Sequence, residues 1–357
     1  MSTNNAVEAV NALLADDSVT EILVDGPDLV YVERRGNLEG TDIRFASAQQ
    51  VVDWANGLLA SHGWATVGEG RPWAEGRLEY GDRVTVVIPP VAVKGPSVTI
   101  RKFSRTQLTF EQLLGWNCLD QNMLDFFKIV MSGWASVLVA GGTSSGKTTL
   151  ANLLIGLIPP ERRLVAVESA HEFRIEHERL VYLEAEAAKL SGGEAVEVRQ
   201  LLRLASRMRP DWLIVGELQG PEVVEVFDRV NLGHECAMTL IHASSPRDAL
   251  TRIETMATIA EPSLSLPAIR HKIANGLDLI VHQMRIEDGS RRVVSVSEVQ
   301  GIKGDNIVLQ ELFTWEKTGV DENGRFVGTF KPTGAVPSLS ASPGGSQMVF
   351  PEGMFGG

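Results

Sequence analysis

Nine consecutive residues, Gly141-Gly142-Thr143-Ser144-Ser145-Gly146-Lys147-Thr148-Thr149, constrain this chain more than any other stretch. They fit the spacing G-x-x-x-x-G-K-[ST]. Gly141 and Gly146 allow backbone conformations that a side chain would block. The N–H groups of such a loop, together with the start of the helix that follows, form a nest for an anion. The flanking sequence supplies the required context. Val137–Ala140 is a short apolar run that reads as a buried strand, and Lys147–Leu157 reads as a helix ended by Pro159-Pro160. In that setting Lys147 is placed to reach the β- and γ-phosphates of a nucleotide, and Thr148 to offer a hydroxyl to Mg²⁺.

The residues beyond the loop alternate between apolar runs and helical spacing. Leu164–Glu168, Trp212–Gly216, Ala237–Ile241 and Leu279–Val281 read as buried strands, with helices over Glu194–Arg207, Pro221–Leu232 and Pro246–Ile259. This order predicts a mainly parallel sheet covered by helices. Ligands of such sheets bind at the carboxyl ends of the strands. A phosphate loop needs a second carboxylate near the γ-phosphate, to hold Mg²⁺ through water or to polarise the attacking water. Glu217 ends the strand WLIVGE and fills that role. Glu168 ends the strand before it, with Glu172 in the loop beyond; a solvated acidic loop is the other reading of that pair. His242 ends the run TLIH, and His234 lies just before the same strand. A neutral imidazole at that edge can sense phosphate or position water. Zinc is a poor reading, because Cys236 completes no ligand spacing with the two histidines.

The first hundred residues read as a small α+β unit. Val19–Val24 and Leu29–Glu33 flank the turn Asp25-Gly26-Pro27-Asp28, and Ala48–Ser61 has helical apolar spacing. Arg77–Tyr80, Arg83–Pro89 and Ser97–Lys102 read as strands. Phe110–Val130 is mostly helical, and Val293–Val299 with Ile307–Trp315 reads as a late hairpin around Gly304-Asp305. Residues 333–357 carry one charge, Glu352, among many Pro, Gly and Ser residues, and are expected to be flexible, with an apolar tip that either docks or stays disordered. A length of 357 residues suits two or three domains. The balance of 33 Lys and Arg against 45 Asp and Glu gives a net charge of -12, which argues against a general nucleic-acid coat. Cys118 and Cys236 read as reduced thiols. The start of the chain shows no secretory signal, and no stretch reads as a membrane-spanning helix, so a cytoplasmic protein is expected.

Four blocks together resemble the secretion-superfamily traffic ATPases, and most closely the CpaF-type Tad/Flp pilus-assembly ATPases of the type II/IV secretion family. GGTSSGKTTL at 141–150 looks like the Walker A, VAVESAHEF at 165–173 like the Asp box, RMRPDWLIVGELQG at 207–220 like an atypical Walker B, and GHECAMTLIHASSPRDALTRIETM at 233–256 like the His box. VTEILVDGPDLVYVERRG, RVTVVIPP and SVTIRKFS match in the N-terminal part. The resemblance implies an α/β fold: a RecA-like P-loop ATPase domain with a small N-terminal α+β, PAS-like domain. The corresponding division is 1–102 for the PAS-like domain, 103–130 for a linker and lead-in helix, 131–332 for the ATPase domain and 333–357 for the tail. On this division the PAS-like domain is expected to start almost at the first residue, without the helical extension found before it in many relatives.

The same resemblance implies ATP and Mg²⁺ as ligands, a homohexameric ring, and an inner-membrane platform protein as partner, with the ring peripheral at the inner face of the cytoplasmic membrane. Gly141, Gly142, Thr143, Ser144, Ser145, Gly146, Lys147, Thr148 and Thr149 would hold the nucleotide; Thr148 and Glu217 would serve the metal. Glu217 would polarise water, Glu168 would assist, His234 and His242 would be His-box residues, and Arg83 and Arg101 would reach the phosphates from the N-terminal domain. Two departures stand out. Ser169 follows Glu168 where the family usually has Asp, and Gln219 stands where it usually has Arg. Each removes a charge near the nucleotide, so slow hydrolysis is expected. The alternatives are a type IV secretion or conjugation ATPase, a pilus retraction motor, a nucleotide-binding scaffold that has lost hydrolysis, and a DNA translocase.

Overall fold

A computed structural model of the chain describes residues 4–34, 37–79, 81–103, 108–185, 196–232, 235–322, 324–341 and 348–356. They form two compact units, one from residues 4–103 and the other from residue 108 onward. In the first, helices α1 (Asn4–Ala15) and α2 (Ala48–Ser61) accompany six antiparallel strands. These are β1 (Val19–Asp25), β2 (Val30–Arg34), β3 (Asn37–Gly40), β4 (Trp73–Arg77), β5 (Arg83–Val87) and β6 (Ser97–Arg101), in the order β3-β2-β1-β6-β5-β4. Side chains alternate across such strands. Val84 and Val86 of β5 and Val98 and Ile100 of β6 therefore enter one core with Val51, Trp54 and Leu59 of α2. Ser47 caps α2 by accepting from Gln50 N–H.

The fourth strand sits earlier than its sequence suggests, over Trp73–Arg77 rather than Arg77–Tyr80; Tyr80 is outside the described residues. The reason is Gly76. A Cβ there would lie 2.5 Å from Trp64 Cδ1 and 2.7 Å from Leu59 Cδ2. The glycine is thus a packing feature within a strand, where helix and loop side chains press on the backbone, rather than a strand boundary.

The second unit holds a nine-stranded sheet. Six strands are parallel, in the order β12-β7-β11-β10-β8-β9: β7 (Val137–Gly141), β8 (Leu164–Glu168), β9 (Leu180–Glu184), β10 (Trp212–Glu217), β11 (Cys236–His242) and β12 (Leu279–Arg285). Three antiparallel strands, β13 (Arg291–Lys303), β14 (Asn306–Val320) and β15 (Phe326–Pro332), extend the sheet beyond β12. Every residue of β7 and β8 is buried, as expected of strands covered on both faces. Val137 and Val139 face a core with α4 (Gln121–Ser132) and α5 (Lys147–Ile155). Leu138 and Ala140 face another with α6 (Val198–Ala205), α7 (Glu222–Val230), α8 (Pro246–Ala260) and α9 (Leu266–Gly276). Strands β9 and β15 and helix α9 were not anticipated from the sequence. Residues 194 and 195 of the expected helix before β10 lie outside the described residues.

Phe110–Val130, expected to be mostly helical, holds α3 (Phe110–Gly115) and α4, started by Thr109 and Asp120 as N-caps. Leu113, Met123, Phe126 and Phe127 are buried in the ATPase-side core, so from Leu108 the chain is integral to this unit. In the C-terminal segment, expected to be flexible with an apolar tip that either docks or stays disordered, the tip is docked, while Val336 and Val349 are each 72% exposed. Leu339, Met348, Met354 and Phe355 are each 5% exposed. Phe350 and Phe355 join Phe126 and Phe313 with ring centroids 5.3–5.9 Å apart. Low charge and many Pro and Gly residues mimic disorder, but four large apolar side chains find an aromatic surface to bury against. Residues 342–347 lie outside the described residues. No helix among the described residues is long and apolar enough to cross a membrane.

Candidate active site

Strands β7, β8, β10 and β11 are parallel, so Gly141, Glu168, Glu217 and His242 end on one edge of the sheet. β8 follows β7 in the chain but lies three places from it, with β11 and β10 between. Ligands of open α/β sheets bind in the crevice at such carboxyl ends. The phosphate loop emerges from β7 and enters α5. Gly146 is the N-cap of α5 with φ +93° and supplies no side-chain cap, so the first N–H groups of the helix are left for another acceptor. Ser144 is also left-handed, at φ +57°. Ser145 Oγ is buried with no hydrogen-bond partner among the described residues. Gly141 meets β12 so closely that a Cβ would lie 2.2 Å from the Gln283 carbonyl oxygen. These features fit a polyanionic ligand: free helix N–H groups, a nearby cation and no side chain in the cradle.

Lys147 is the cation, 7% exposed. Its Nζ donates to the Gly142 carbonyl at 3.0 Å and lies 3.2 Å from His242 Nδ1 and 3.8 Å from Glu217 Oε1. An ammonium only donates, so His242 Nδ1 accepts and the ring proton sits on Nε2. That nitrogen lies 3.1 Å from Glu217 Oε1. Burial lowers the Lys147 pKa, while Glu217 and Glu172 hold it up. Glu168 is 3% exposed, and burial pushes its pKa up to about 7, although its Oε2 accepts from the backbone N–H groups of Glu172 at 3.0 Å and Phe173 at 3.1 Å. Glu168 and Glu217 border one small cleft together with Ser169, Gln219 and Glu222. Gly216 leaves room for this approach, since a Cβ there would come 3.1 Å from Glu168 Cγ. Gln219 Nε2 reaches Glu217 Oε2 only at 3.5 Å.

The structure therefore brings Glu217 and His242 to Lys147 of the loop Gly141–Thr149, with Glu168 beside Glu217 in the adjoining cleft. His234 and Gly233 lie outside the described residues. Arg83 and Arg101 stand directly opposite one another on β5 and β6 of the N-terminal unit. A further feature carries no motif. A cavity of about 850 Å³ flanks Ser144, Gly146 and Thr149 and is walled by Trp116, Gln283, Asp288, Arg291 and Phe326, among others. The sequence signal for it was no more than a turn, Asp288-Gly289-Ser290, followed by two arginines.

The sheet order and the loop together define a RecA-like P-loop ATPase fold. The family model for type II/IV secretion system proteins matches residues 4–323, and the chain belongs to that family. A Mycobacterium tuberculosis protein whose name links it to conjugal transfer is 32% identical over 298 residues, covering 82% of this chain and 84% of its own. The type IV secretion system protein PtlH of Bordetella pertussis is 28% identical over 319 residues, covering 81% and 92%. The solved structure of the pilus retraction motor PilT with bound ADP superposes with a TM-score of 0.57 at 16% identity, covering 85% of this chain and 81% of that one, which is a likeness of fold.

Proposed function

We propose that this chain is a Mg²⁺-dependent ATPase whose hydrolysis of ATP drives a pilus-assembly or secretion machine. The observation that carries the reading is the convergence of Lys147, Glu217 and His242 within 3.8 Å beside an uncapped helix N-terminus. The loop N–H groups and Lys147 bind the phosphates. Thr148 and Glu217 would hold Mg²⁺, which when bound neutralises charge on the phosphate oxygens. Glu217 takes a proton from the attacking water as its oxygen bonds to the γ-phosphorus and the bond to the bridging oxygen breaks. His242 Nε2, 3.1 Å from Glu217 Oε1, adds a polar group beside that carboxylate oxygen, which accepts no hydrogen bond from the described residues. Glu168 supports the same region, His234 would serve as the second His-box residue, and Arg83 and Arg101 would complete the charge neutralisation when the N-terminal domain closes. The cavity beside Gly146 takes the nucleoside.

The motor would act as a homohexamer, peripheral to the cytoplasmic membrane through a platform protein. The four sequence blocks favour a Tad/Flp-type pilus machine. The relatives named for conjugal transfer and type IV secretion favour a conjugation or type IV secretion machine as the second reading. Phosphate release by the purified protein with Mg²⁺ and ATP tests the enzyme. Lys147→Ala and Glu217→Gln are each expected to lower turnover at least about 100-fold, the scale lost with one key electrostatic group. Wild-type turnover equal to that of Lys147→Ala would leave a nucleotide-binding scaffold instead.

A further inference from the structure

The cavity beside the phosphate loop is closed on its far side by two turns that belong to different hairpins. One joins β12 to β13 and contributes Asp288, Gly289, Ser290 and Arg291; the other joins β14 to β15 and contributes Asp321 and Arg325–Gly328. The family match ends at residue 323, so Arg325, Phe326 and the whole of β15 lie beyond it. The wall thus combines a turn inside the matched residues with side chains that follow them.

A continuous series of bonds ties that wall to the phosphate loop. Arg291 Nε donates to the Ser144 carbonyl at 3.2 Å, anchoring the β12–β13 turn on the loop. Within that turn Asp288 Oδ1 accepts from the N–H and hydroxyl of Ser290 at 2.8 and 2.5 Å. Its other oxygen, Oδ2, accepts from the backbone N–H of Phe326 at 2.6 Å. A carboxylate that receives backbone N–H groups makes strong, directional bonds. The β14–β15 turn is itself closed by Asp321, whose Oδ1 accepts from Arg325 N–H at 2.8 Å and whose own N–H donates to the Arg325 carbonyl at 2.8 Å. On the adjoining wall, Arg292 Nη1 donates to the Trp116 carbonyl at 2.9 Å, and Trp116 is 53% exposed. Phe326 and Trp116 give the cavity aromatic surface, and base–aromatic stacking is tolerant of base identity while adding affinity.

We infer that the start of β15 forms the nucleoside-recognising wall of this site, with Phe326 as the contacting side chain and Asp288 as the positioning residue that holds it to the phosphate loop. The inference rests on the reading of Gly141–Thr149 as the phosphate site. It assigns to the C-terminal hairpin a part in selecting nucleotides over other polyphosphates.

The test compares two probes, ATP and inorganic tripolyphosphate, each with Mg²⁺, titrated calorimetrically into the full chain. Tripolyphosphate carries the phosphates and lacks the nucleoside. Phe326→Ala and Asp288→Ala are each expected to weaken ATP binding about tenfold, the scale of one lost base–aromatic contact, and to leave tripolyphosphate binding within about twofold. Unaltered tripolyphosphate binding also establishes that the variant is folded around an intact loop. Equal losses for the two probes, or no loss of ATP affinity in either variant, would overturn the assignment. Lys147→Ala separates this from the parent reading: it must weaken both probes, and tripolyphosphate binding indifferent to Lys147 would sink the phosphate site itself.

Discussion

Glu168 offers a sharp test of the electrostatics, because replacing it with glutamine is expected to stabilise the protein while damaging its site. The side chain is 3% exposed, and its pKa is raised from 4.5 to about 7 chiefly by burial. That difference corresponds to roughly 3 kcal/mol of preference for the protonated form. The sign follows from the two states. Below pH 4.5 the carboxyl is protonated whether folded or unfolded, and its burial carries no ionic cost. Between pH 4.5 and about 7 the unfolded chain ionises freely while the folded one resists, so stability falls; above pH 7 the loss is complete and constant. Glutamine is nearly isosteric, does not titrate, and its carbonyl oxygen can accept the same N–H groups of Glu172 and Phe173. Glu168→Gln should therefore gain about 2–3 kcal/mol more over wild type at pH 8 than at pH 5. Hydrogen exchange of the β8 amides, corrected for intrinsic rates, reads this locally and does not require the two units to unfold together. A gain no larger at pH 8 than at pH 5 would refute the claim that burial governs this carboxyl. If the residue also serves catalysis, phosphate release by the same variant falls, a trade of stability against activity.

Gln219→Arg is expected to raise the rate of phosphate release, by returning a cation to within reach of Glu217, which Gln219 now approaches only at 3.5 Å; unchanged or lower turnover would show that the missing arginine does not limit the rate. Gly141→Ala should destabilise the ATPase unit by about 1–3 kcal/mol and weaken nucleotide binding, since its Cβ would press on the Gln283 carbonyl 2.2 Å away. Thermal unfolding with and without ATP checks both effects, and wild-type values for the two would refute the close approach of β7 and β12.

Local signals made the catalytic edge legible. Strand, glycine-rich loop and helix are consecutive in the chain, so Gly141–Thr149 could be placed without knowing what lay beside it. Glu168, Glu217 and His242 each close an apolar run, and in a parallel sheet such ends fall on one edge whatever the strand order. The distances among them could not be read this way. That Lys147 lies against His242 and Glu217, and that Glu168 is driven toward neutrality, depends on β11 and β10 inserting between β7 and β8.

Where local composition misled, long-range packing was the cause. The strand was read over Arg77–Tyr80 because nothing nearby in sequence announces that Trp64 and Leu59 pack against the backbone at Gly76. The last residues looked disordered because their few large side chains are separated by Pro, Gly and Ser, yet Phe350 and Phe355 meet Phe126 and Phe313 from distant parts of the chain. The sequence by itself determined the class of protein and its phosphate loop, because the geometry of a strand–loop–helix turn is set by neighbours along the chain. Only the tertiary structure decided which groups surround the lysine, what ionisation Glu168 prefers and which hairpins wall the adjoining cavity. Those properties come from desolvation and from contacts between residues distant in the chain, such as Lys147 with His242 and Ser144 with Arg291, and both exist only once the sheet has assembled.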